Sequence, residues 1–332
     1  MKRFLIICAI VAAVTALTAC NNEGTDDTTN NTTSAVFTTT ENTVTVTFPE
    51  GYTTTQIALK LEENGVCSAV DFMAEMSNVE TYIDTYDFLS GIDNLEYRAF
   101  DLEGYIFPDT YEFYLDANVE NVVKKFLDNF SAKVSEAMYE RATELGYTMD
   151  EIISLASVIQ SEAGEYEEMV NVSSILYNRL TSPSYGKFQC DVTINYVNDY
   201  ITDSPYLEGE DTSIYAEYYN TYKCSGIQVG AICNPGIEAI TAALYPAETD
   251  YYFFVTDKQW NYYYSETYEE HLENCEAVGL WDTDSDDEET TEIETTETET
   301  TIETTIETIE QIIEEETATV QSDDGSVFDN VR

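Results

Sequence analysis

One stretch of the chain places an acid where an apolar residue is due. Thr148-Met-Asp-Glu151 has the form of a capping box, in which Thr148 accepts from first-turn amides and Glu151 reaches back. The helix it opens sets Ile152, Leu155, Ala156 and Ile159 along one side, and the next position on that stripe is Glu162, just before Ala163 and Gly164 end the helix. Burial penalises the ionised form of a carboxyl and raises its pKa, so a glutamate here would carry a proton near neutral pH, as a general acid must. The plainer alternative is that the helix frays by Glu162 and the side chain reaches water. A second helix, Glu167 to Leu180, ends in Asn178 and Arg179. These two either orient a carboxylate or contact substrate, or Arg179 simply suits the negative end of its helix. The alternation in Phe188–Thr193 then predicts a short strand with Gln189, Asp191 and Thr193 on one face.

The rest of the chain bounds what this chemistry can be. Its 332 residues hold 65 acidic and 13 basic side chains and one histidine, a net charge of -52. So acidic a chain, without a Lys/Arg cluster, is repelled by nucleic acid. A single histidine excludes paired-histidine zinc sites, and no metal or cofactor is expected. The length allows about two domains, and 43% hydrophobic residues can build a core.

Lys2 and Arg3, an apolar run from Phe4 to Leu17 and then Leu17-Thr-Ala-Cys20 have the order of an export signal. The tetrapeptide resembles a bacterial lipobox, so residues 1–19 read as a lipoprotein signal peptide and Cys20 as the lipidated residue. That would hold the protein on the outer face of the cell membrane; the alternative is an ordinary signal with an incidental cysteine. Residues 20–42, rich in Thr and Asn, read as a flexible tether. Residues 282–332, rich in Thr and Glu, read as a disordered acidic tail, although Ile302, Ile306, Ile309 and Ile313 recur at helical spacing. Between them, 43–78 begins with a strand (Thr43–Phe48), a turn and a helix lined by Ile57, Ala58 and Leu61, closed by Asn64-Gly65. Residues 79–281 mix helix and strand, giving an α+β class. Cys67, Cys190, Cys224, Cys233 and Cys275 are an odd set; a disulfide among Cys190, Cys224 and Cys233 or small buried side chains are both open.

Taken together, four stretches resemble the endolytic murein transglycosylase (YceG-like) family. They are Leu102-Glu-Gly-Tyr-Ile-Phe-Pro-Asp-Thr-Tyr111, Leu155-Ala-Ser-Val-Ile-Gln-Ser-Glu162, Tyr177-Asn-Arg-Leu180 with Gln189-Cys-Asp-Val-Thr193, and Tyr219-Asn-Thr-Tyr222 continuing to Asn234-Pro-Gly236. The resemblance implies that 43–78 is a LysM-like module and 79–281 a mixed α/β catalytic domain of the YceG-like type. It puts the family's catalytic glutamate at Glu162. Gln160 replaces the first glutamate of the family's Glu-Lys-Glu-type motif, Val192 replaces a usual proline, and Trp260–Tyr264 lacks the family's histidine.

The implied reaction cuts the MurNAc-β-1,4-GlcNAc bond of peptidoglycan glycan strands and leaves 1,6-anhydro ends, with one glutamate as acid and then base. Gln189, Asp191, Thr193, Asn220 and Thr221 are the implied groove residues. Asn178 and Arg179 either orient them or hold their helix. Glu103, Asp109 and Gln160 are read as assisting or structural, and His271 as structural. Cell-wall synthases or division and elongation proteins are the partners such an enzyme would work beside. The competing reading is an inactive wall-binding or scaffold lipoprotein of the same fold.

Overall fold

The computed structural model describes residues 42–280. The segments read as a signal peptide, with Cys20, and as a tether up to residue 41, and the segment read as an acidic tail, lie outside the described residues. Strand β1 (Thr43–Thr47) alternates outward threonines with Val46, and Phe48 beyond it is buried. Thr53 and Gln56 form a capping box that opens helix α1 (Thr54–Glu63), and Asn64 with Gly65 at φ +70° closes it. Ile57, Ala58 and Leu61 are buried, as their spacing predicts. Ser68 caps α2 (Ala69–Met76), which buries Phe72, Met73 and Met76. Three short 3-10 turns, at Val79–Thr81, Asp87–Gly91 and Leu95–Tyr97, lead to strand β2 (Thr110–Tyr114).

Strand β1 pairs antiparallel with β2, Thr43 opposite Tyr114 and Thr47 opposite Thr110. The unit expected over 43–78 thus takes its second strand from beyond residue 78, because a lone strand leaves its backbone groups unpaired. Phe48 meets Tyr111, Phe113 and Phe126 edge-on, with ring centroids 5.3–6.4 Å apart. Phe126 belongs to α3 (Val119–Lys133), so this aromatic core spans both expected domains.

Helix α4 (Glu136–Leu145) ends at Gly146, and α5 (Met149–Glu162) starts at the expected capping box of Thr148 and Glu151. From Ile152 to Ile159 every α5 residue is buried, including Ser154 and Ser157. The helix is therefore central rather than one-faced, surrounded by α4, α6 (Tyr166–Thr181) and α9 (Ile237–Leu244). Ala156 on α5 and Ala239, Ala242 and Ala243 on α9 are all fully buried small residues that permit close packing. Between α6 and α9 come α7 (Asp191–Tyr196), a π turn (Val197–Ile201) and α8 (Ser213–Tyr219). An antiparallel hairpin, β3 (Phe253–Thr256) and β4 (Tyr262–Ser265), precedes α10 (Tyr268–Ala277). The result is a mixed α/β protein with two small sheets. Among the described residues no helix is long and apolar enough to cross a membrane, and no cluster of three or more metal-ligating side chains occurs.

The strand expected at Phe188–Thr193 is instead a turn into α7, with Asp191 in the first helical turn. Gln189 adopts a left-handed backbone (φ +56°), and the Thr193 hydroxyl donates back to the Cys190 carbonyl at 2.9 Å. Six alternating residues are too few to separate a strand from a helix start capped this way.

Candidate active site

Glu162 is the last residue of α5, and Ala163 turns into extended backbone behind it. The Tyr262 hydroxyl of β4 donates to the Glu162 carbonyl at 2.6 Å, which fixes the helix end. The side chain is partly exposed, so it neither frays into bulk water nor disappears into the core. Burial pushes its pKa up to about 7; a hydrogen bond from the Cys190 thiol opposes the rise, the Asp191 charge adds to it, and Arg179 opposes it. Desolvation by the surrounding protein wins over the nearby cation, and the carboxyl holds a proton close to neutral pH.

The groups around Glu162 come from loops that α6 pins. Arg179 is buried, gives Nε to the Tyr252 carbonyl at 2.7 Å and bonds the Phe188 carbonyl through Nη1. Asn178 donates to the carbonyls of Thr249 and Tyr251 at 2.8 and 2.9 Å. Both side chains are thus engaged in holding the 188–190 turn and the β3 approach; Arg179 reaches Glu162 through its charge. Thr193 and Thr221 are fully buried, bonded to each other at 3.1 Å, and Thr221 also receives the Cys190 amide at 2.9 Å. They brace the loop from behind. Gln189 and Asp191 reach the surface in front of it, and Asp191 accepts from the Tyr222 hydroxyl at 2.7 Å. Asn220 is half-buried and spends its side-chain oxygen on the Tyr222 amide at 2.9 Å.

Three further residues lie elsewhere in the framework. The Gln160 oxygen accepts from the Gly236 amide at 3.0 Å, at the start of α9. Asp109 pairs with Lys133 at 3.0 Å and accepts from the Thr110 amide at 2.8 Å, which pulls its pKa down. Glu103 is buried and accepts from the Thr54 amide (2.9 and 3.1 Å), Asn234 (2.9 Å) and the Tyr196 hydroxyl (3.1 Å). Burial pushes Glu103 up to about 7 against all these donors. His271 stacks on Phe253 at 5.2 Å, and burial lowers its pKa. Cys67, Cys190, Cys224, Cys233 and Cys275 are all free thiols.

Two residues of importance escaped the sequence reading as individuals. Cys190 is a buried thiol whose pKa is pushed well up by burial and by the neighbouring Glu162 charge. Tyr262 is one of many tyrosines, and only the fold brings its hydroxyl to the end of α5.

The arrangement defines a mixed α/β protein organised around one proton-holding carboxyl at a helix end, with polar loops in front of it. The chain belongs to the YceG-like family, whose profile matches residues 6–277. It is 29% identical over 237 residues to an endolytic murein transglycosylase of Bacillus subtilis strain 168, covering 68% of this chain and 62% of that one. It is 26% identical over 245 residues to an endolytic murein transglycosylase of Streptococcus pneumoniae serotype 2, covering 69% of this chain and 44% of that one. The chain thus spans roughly half to three fifths of the length of these curated relatives. A crystal structure of a YceG-like protein from Listeria monocytogenes superposes with a TM-score of 0.58 at 27% identity, covering 69% of this chain and 75% of that one.

Proposed function

We propose that this protein is a peptidoglycan lytic transglycosylase in which Glu162 is the only catalytic acid and base. The observation that carries the reading is the Glu162 carboxyl, partly exposed at the end of α5 and raised to about 7 by its surroundings. A protonated Glu162 gives its proton to the glycosidic oxygen between MurNAc and GlcNAc as that C–O bond breaks. The resulting carboxylate takes the proton of the muramyl C6 hydroxyl while O6 bonds to C1, closing the 1,6-anhydro ring. No water is consumed, and the acid is restored for the next cycle. Gln189 and Asp191 are the groove residues best placed to orient sugar hydroxyls; Asn220, Thr193, Thr221, Asn178 and Arg179 shape the loops that carry them. Lipidation at Cys20 would anchor the protein on the outer face of the cell membrane, where nascent strands emerge.

Mass spectrometry of the products from un-cross-linked peptidoglycan tests this, using the full-length chain in detergent beside Glu162→Gln. Anhydro-muramic ends from the parent and none from the variant are expected. Ends from both proteins would remove Glu162 from the reaction. Ends from neither, with binding to sacculi retained, would make the protein a wall-binding scaffold.

A further inference from the structure

We propose that the cleft between the start of α1 and α7 is a sugar-binding subsite for the glycan strand, so that the N-terminal unit forms one wall of the catalytic groove. A cavity of about 210 Å³ opens there, lined by Thr53 and Gln56 on one side and Asn195, Asp199 and Tyr200 on the other, with Ser161 at its end. Ser161 immediately precedes Glu162, and Val192, which also lines the cavity, follows Asp191. The cavity thus reaches the end of α5 through Ser161 and the start of α7 through Val192, the two elements that carry Glu162 and Asp191. Its volume suits a single pyranose ring and its substituents rather than a longer ligand.

Three features mark it as a built site. Asn195 and Asp199 stand one turn apart, both exposed, and neither side chain has a hydrogen-bond partner among the described residues. An amide and a carboxylate left unspent this way can take the donor and acceptor groups of sugar hydroxyls and an acetamido group. The helix switches to π geometry at Val197–Ile201, and such single turns recur where a helix serves a functional site. The walls are also cross-tied. Buried Glu103 accepts from the Thr54 amide, next to Thr53, and from the Tyr196 hydroxyl, next to Asn195. The spacing across the cleft is thus set before any ligand arrives, which spares binding an ordering cost.

The inference rests on the transglycosylase reading, and the test separates the two. The full-length chain carrying Glu162→Gln, which retains the shape of the groove, is titrated with un-cross-linked glycan strands by calorimetry, with and without Asn195→Ala and Asp199→Ala. The double substitution is expected to weaken binding about tenfold or more. In the Glu162-containing enzyme it should raise KM by a similar factor, change kcat less, and leave Tm unmoved. Binding and KM within twofold of the parent values overturn the subsite and leave the transglycosylase intact. A fall in kcat alone, with affinity kept, also overturns it. A parent that neither cuts nor binds strands removes the proposed function and the subsite together.

Discussion

Glu162 and Glu103 are both raised to about 7, mainly by burial, yet their surroundings assign them different work. Glu103 is enclosed, and its oxygens meet four fixed donor contacts from the protein. Glu162 is partly open and keeps room for a substrate oxygen. Each has a folded pKa above its ordinary value of 4.5, so the folded state holds the proton more tightly than the unfolded one. Their contribution to stability is therefore full below about pH 4.5 and is lost as the pH rises to about 7. For fully buried Glu103 the loss is on the order of 3 kcal/mol. Tm should fall between pH 5 and 7, and Glu103→Gln should remove about half of that slope, Glu162 supplying the rest; an unchanged slope would refute the buried-acid assignment. Activity has the same sign for Glu162. Only the protonated form can start the reaction, so kcat/KM should drop about tenfold per pH unit above about 7. The carboxyl at 162 was legible in sequence because helical spacing alone put it on the buried stripe. The role of Glu103 was not, since its donors come from residues 54, 196 and 234.

Between elements, Asn234 carries more than its place in an Asn-Pro-Gly turn discloses. Its side-chain oxygen accepts from the amides of Gly104 and Ile106 at 3.0 and 2.9 Å, and its nitrogen donates to Tyr52 O and Glu103 at 3.0 and 2.9 Å. One fully buried amide so joins the first turn, the 103–106 loop and the entry to α9. Gly104 has φ +95°, and a Cβ there would lie 2.6 Å from the Ala231 methyl and 2.8 Å from Ile153 Cγ2, so only glycine lets this loop lie against those side chains. Asn234→Ala leaves the Gly104 and Ile106 amides without a partner and takes one donor from buried Glu103, and should cost about 3 kcal/mol or more by urea denaturation. Gln160 belongs to the same junction. It bonds Gly236, over which the Glu50 carboxylate also lies, and Glu50 is already raised by burial and by Glu238. Gln160→Glu, which restores the family's acid, should set two carboxylates against each other. A loss of about 1 kcal/mol at pH 8 that disappears below pH 4 is expected from denaturation at the two pH values. The neutral side chain thus matches this chain's own neighbour at 50. No one-dimensional pattern shows that, although the substitution itself was visible.

At the scale of the whole molecule, the boundary at residue 78 is where the sequence reading and the fold part. Composition and periodicity set off 43–78 because its strand, turn and helix are locally complete. What they cannot show is that β1 finds its partner at 110–114 and that Phe48 packs on Phe126 at 5.3 Å. Polar ties cross the same line: Gly51 donates to the Asn234 carbonyl, Asn234 returns a bond to Tyr52, and Glu103 anchors Thr54. A unit joined by a strand ladder, an aromatic core and buried hydrogen bonds should not unfold by itself, since separation would expose all three at once. Differential scanning calorimetry of the full-length chain should therefore show one transition whose calorimetric and van't Hoff enthalpies agree. A chain beginning at residue 79 should lose β1, leave Glu103 and Asn234 without their first-turn partners, and fail to give cooperative unfolding. Two resolved transitions, or a cooperative truncated chain, would mean that the first unit is an independent module. It would then be free to swing away from Glu162, and the groove would have to be completed by substrate.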